Sequence, residues 1–66
     1  MNKEKYEVLK AKFLKLFANV PLPLRDEIIA LVDNQPISWT AAYGEIAHDA
    51  TKSEVILTHL KQIGLL

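Results

Sequence analysis

Sixty-six residues, half of them hydrophobic and 24% charged, describe one domain near the lower size limit for a self-sufficient apolar core. The absence of cysteine excludes disulfide staples and thiolate metal sites. No apolar run approaches the ~20 residues of a bilayer span and no leader pattern opens the chain, so a soluble cytoplasmic protein is expected. A formal net charge of zero favours self-association, and a chain this small without staples needs tight packing or a partner chain to cover its apolar surplus.

The neutral total hides an uneven layout. Residues 1–19 hold Lys3, Lys5, Lys10, Lys12 and Lys15 against only Glu4 and Glu7. Residues 20–50 hold Arg25 against Asp26, Glu27, Asp33, Glu45 and Asp49. A basic end joined to an acidic middle fits internal pairing, head-to-tail association or an anion-binding arm.

A compact all-α fold of four helices is expected, over about 2–18, 23–34, 40–49 and 52–63. In the first, Tyr6, Leu9, Phe13, Leu16 and Phe17 fall on one arc of roughly 100°. Lys5 and Lys12 flank that arc on one side, Lys3 and Lys10 on the other, with their methylene stems over its edges. The arc is the candidate dimer or partner interface. Asn19 is placed to end the helix in a left-handed conformation, and Pro21 and Pro23 stop it from continuing.

Pro23 suits the first position of a second helix, with Asp26 and Glu27 at its positive end and Leu24, Ile28, Leu31 and Val32 buried. Pro36 pushes Gln35 toward an extended conformation, leaving room for one very short extended segment at 37–39. Ser38 or Thr40 then caps a third helix that turns Tyr43, Ile46 and Ala47 inward. Trp39 and Tyr43 read as a core anchor under the helix junction. Thr51-Lys52-Ser53-Glu54 has the capping-box pattern and opens a fourth helix with Ile56, Leu57, Leu60 and Ile63 on its apolar face. Gly64 fits the left-handed position after that helix, with Leu65 folding back as its hydrophobic contact.

Glu45-Ile46-Ala47, Val55, Leu60 and the closing Gly64-Leu65-Leu66 resemble a helix-turn-helix unit of the winged-helix kind, across residues 23–66. Seven residues separate Ala47 from Val55, a shorter turn than usual, and Leu66 falls where the family's wing hairpin begins. The resemblance implies that the last helix enters the major groove of double-stranded DNA. Carried over by position, Thr51, Lys52, Ser53, Thr58, His59 and Gln62 would meet bases and phosphates, with Lys10 and Lys15 of the first helix adding charge. Asp49 and Glu54 stand beside them and repel phosphate.

Other chemistry finds little support. Glu45 and His48 form a single Glu-x-x-His pair, whereas di-iron bundles use two with further glutamates. Ser38 lacks the glycine elbow of a hydrolase nucleophile. Neither catalysis, a metal nor a cofactor is expected. Two functions stay open: a small DNA-binding, transcription-regulator-like protein acting as a homodimer, or a protein-interaction module that binds a helix or its own copy without nucleic acid.

Overall fold

In the computed structural model, which describes residues 1–66, the chain order is helix, short turn, hairpin, helix, helix. Helix α1 spans Lys3–Ala18, a 3-10 turn covers Leu22–Leu24, strands β1 and β2 span Ile28–Val32 and Gln35–Ser38, and helices α2 and α3 span Trp39–Ala47 and Ser53–Gln62. The expected four-helix, all-α architecture is therefore corrected to three helices and a two-stranded antiparallel hairpin.

The correction falls on the stretch 23–34. Pro23 does not open a helix; it is the middle residue of a three-residue 3-10 turn, Leu22–Leu24. Asp26 and Glu27, expected at the positive end of a helix, lie in the loop that follows it. The run Ile28-Ile29-Ala30-Leu31-Val32 is short and rich in β-branched residues, and short apolar runs satisfy helix and strand periodicities alike. What decides is Asp33-Asn34. Both residues are left-handed, with φ of 52° and 65°, and they form a two-residue loop between the paired Val32 and Gln35. Asp and Asn tolerate that conformation and such loops match strand twist, so the chain reverses where a helix was expected to end. Ile28 pairs with Ser38 and Ala30 with Ile37, the register shift between them marking an irregularity at Ile29. Both strands of a two-stranded ribbon are edges, which is where Pro36 is tolerated.

The helix ends are fixed by specific groups. The Lys5 amide donates to Asn2 Oδ1 at 2.8 Å and the Ala41 amide to Ser38 Oγ at 3.1 Å, so Ser38 is the cap of α2. Asn19 closes α1 in a right-handed conformation (φ −95°), contrary to the expected left-handed end. The expected capping box is also not formed: the N-cap position falls on Lys52 rather than Thr51 and has no side-chain cap, and the Glu54 carboxylate bonds the Met1 amine instead. The far end of α3 follows the sequence reading. Gly64 sits at φ +85°, its amide donates to the Lys61 carbonyl and the Leu65 amide to the Leu60 carbonyl, so Leu65 and Leu66 turn back onto the core.

Three helix faces and one strand position meet in the interior. Leu9 and Phe13 of α1, Val32 of β1, Ala42 and Ile46 of α2, and Ile56, Leu57 and Leu60 of α3 are buried together. Phe17 stacks on Tyr43 at 4.4 Å between ring centroids, and Phe13 lies 5.9 Å from Trp39. Tyr43 itself is exposed and Trp39 half-buried, so the pair forms a lid over the α1–α2 junction rather than an interior anchor. Arg25 braces the loop below. Its guanidinium lies 4.4 Å from the Phe17 ring centroid, its Nε donates to the Val20 carbonyl, and its carbonyl accepts from the amide and hydroxyl of Thr40.

Phe13 is fully excluded from solvent at this junction. Phe13→Ala is expected to cost about 3–5 kcal/mol, most of the stability of so small a domain, in urea denaturation followed by circular dichroism. Val55→Ala, on an exposed position of α3, is expected to shift stability by no more than about 0.5 kcal/mol in the same assay.

Candidate nucleic-acid interface

Helix α3 buries Ser53, Ile56, Leu57 and Leu60, so its opposite face is turned outward. Thr51, Thr58, His59 and Gln62 line one depression of about 390 Å³ there, together with Glu54, Val55, and Val32 and Asp33 of the hairpin. Four of the six positions carried over from the winged-helix resemblance are thus brought together. Lys52 is exposed in the turn ahead of them. The carboxylate of Asp33 at the hairpin loop, beside Glu54, makes this flank unfavourable for phosphate.

Ser53 is withdrawn from the expected set. It is 1% exposed, and its hydroxyl lies 2.6 Å from the Tyr6 hydroxyl, which in turn donates to Asp49 Oδ1 at 2.6 Å. Because Tyr6 has one proton and gives it to Asp49, Ser53 is the donor to Tyr6. Lys10 donates to the same Asp49 oxygen at 2.8 Å, so its charge is locally matched and it is not free for phosphate. The second acidic neighbour, Glu54, accepts from the Met1 amine at 3.0 Å. Both carboxylates that stand beside the last helix in sequence therefore carry a cation.

These bonds move the titrations of the cluster. Hydrogen bonds from Lys10 and then Tyr6 hold the Asp49 carboxyl below its ordinary range. The same contact holds the Lys10 ammonium above its ordinary value. Burial, reinforced by the bond to Asp49, raises the Tyr6 hydroxyl.

The opposite flank of α3 has the other sign. Lys5 and Lys12 of α1 and Lys61 of α3 line one depression of about 330 Å³, with Val8, Leu9 and Leu66 as its apolar part and Glu4 as its one acidic side chain. None of the three lysines belongs to either ion pair of the chain. Lys15, one turn beyond Lys12, lines the adjoining depression with Lys12, Leu16, Leu65 and Leu66. A basic strip thus runs along α1 and reaches the end of α3. Lys5 and Lys12 share a face of α1 by their seven-residue spacing; that Lys61 joins them depends on how α1 packs against α3.

Comparison of the chain with protein-family models, curated proteins and solved structures finds no match. A small helical domain with a β-hairpin is consistent with the winged-helix resemblance, which no family or fold match supports.

The expected interface on α1 is also redistributed. Leu9 and Phe13 are in the core, Tyr6 is bonded to the start of α3, and Phe17 is stacked under Tyr43. Of the five positions only Leu16 is exposed. Glu45 and His48 do not converge with a third metal-binding side chain, and the His48 ring bonds the Gly44 carbonyl at 2.9 Å.

The Asp49 contact has a pH signature. Asp49's contribution is present above its unfolded value and is lost as pH falls through the lower folded value. Lys10's contribution is present below its unfolded value and is lost as pH rises through the higher folded one. Asp49→Asn is therefore expected to lower the melting temperature by a constant amount between roughly pH 5 and pH 9, with the gap closing in acid below roughly pH 4. Paired thermal melts across that range check it.

Proposed function

We propose that this chain is a small helix-turn-helix module that binds duplex DNA, with the outward face of α3 toward the major groove and the α1 lysines on phosphate. The convergence of Lys5, Lys12 and Lys61 beside that face carries the reading. Phosphate charge dominates the affinity of any duplex binder, and here three cations without ion-pair partners in the chain line one depression.

The docking direction follows from charge. Asp33 closes the hairpin flank to phosphate, so the duplex backbone runs along α1. Gln62 and Thr58, which line the depression on the hairpin side, would then supply amide and hydroxyl groups to base edges. The role is binding rather than catalysis. A partner-binding module without nucleic acid is the second reading, favoured by the apolar trough described below.

Fluorescence anisotropy with a random-sequence duplex tests the proposal. With about three phosphates engaged, log K is expected to fall against log salt with a slope of about −2.7, and Lys12→Glu or Lys61→Glu to reduce that slope by about one unit each. Lys10→Gln, which removes a charge already matched by Asp49, is expected to leave the slope unchanged. No binding at low salt, or a slope insensitive to Lys12 and Lys61, overturns the reading.

A further inference from the structure

Below the basic strip, two surface depressions of about 410 and 440 Å³ share Leu16, Asn19 and Leu65 and so form one trough. Its apolar floor is made by Leu16, Val20, Leu24, Ile28, Trp39 and Leu65. Three of these are large side chains left in water, with Leu16 38%, Leu24 45% and Ile28 58% exposed. The charges at its ends differ. Lys12 and Lys15 line one half, and Glu27 lines the other. Neither Lys15 nor Glu27 has an ion-pair partner within the chain.

We infer that this trough is the face on which a second copy of the chain docks, through a two-fold axis near Leu16. In such an isologous contact residue i meets j and j meets i. A two-fold through the middle of a patch that is basic at one end and acidic at the other sets Lys15 of each copy against Glu27 of its partner. The apolar floors then cover each other. The charge pattern selects this occupant. An acidic segment would be repelled at the Glu27 end and a basic one at the lysine end, whereas an inverted copy matches both. The net charge of zero removes overall repulsion between the two. The inference does not rest on DNA binding, and its test uses none.

Sedimentation equilibrium of the full chain at low salt, from about 5 µM to about 500 µM, is expected to show the mass rising toward twice that of the monomer. Lys15→Glu and Glu27→Lys each break two symmetry-related pairs and are each expected to weaken association roughly tenfold. An equimolar mixture of these two variants is expected to regain wild-type affinity within about threefold. In the mixed dimer the introduced carboxylate of one variant faces the introduced ammonium of the other, and the unaltered Glu27 and Lys15 meet on the far side of the axis. Leu24→Glu is expected to abolish association while leaving the far-ultraviolet dichroism of the monomer unchanged. A monomer mass throughout the concentration range overturns the inference. So does association that ignores Leu24→Glu, or single charge variants whose mixture fails to recover.

Discussion

Exclusion of Phe13 from water is the constraint on which the remaining architecture depends. Helices of nine, ten and sixteen residues are marginal or unstable alone, and each becomes stable by burying a face against the others. Phe13 stands where those faces meet, with Ile46 of α2 and Ile56, Leu57 and Leu60 of α3 equally inaccessible. With so few buried residues, no second cluster can compensate for a loss there. This also explains why α1 offers little of its own apolar face to a partner: Leu9 and Phe13 are committed to the interior, and what remains outside is its lysine-lined edge with Val8 and Leu16.

The two terminal thirds of the chain were legible because their signals are local and mutually consistent. The three- and four-residue spacings of Tyr6 to Phe17 define α1 and its inward side whatever it packs against. Gly64 after an apolar helix gives its own ending, since the left-handed conformation and the returning Leu65 require only neighbouring residues. The stretch 23–34 was not legible, for a physical reason. Ile28 to Val32 carries too few residues to separate a period of two from a period of 3.6, and the deciding Asp33-Asn34 pair also resembles a helix stop. The capping box failed differently. Thr51 and Glu54 have the right spacing, but the Met1 amine, far away in sequence, takes the Glu54 carboxylate, and no local pattern contains that competition.

The site was legible in its parts and not in its assembly. Thr58, His59 and Gln62 follow from the polar side of an amphipathic helix, and they do share a depression. Lys10 and Lys15 belong to the same lysine-rich helix, yet only one is free. Lys10 turns toward Asp49 while Lys5 and Lys12, on the other edge, reach Lys61. Seven-residue spacing indicated that Lys5 and Lys12 share an edge; which edge of α1 faces α3 is a property of packing. Replacing an expected helix by a hairpin also puts Asp33 next to α3, so the acidic middle of the chain limits the basic surface there as well as at Lys10, through Asp49.

Arg25 adds a consequence for how this molecule meets others. Its flat cation rests on Phe17, its Nε holds the Val20 carbonyl, and its own carbonyl receives two bonds from Thr40. Lysine could not make the stacked and the bonded contact at once. The loop carrying Val20 and Leu24 is consequently braced from both ends before any encounter. A surface already held still surrenders little freedom on contact, so even a small apolar area there can yield net attraction.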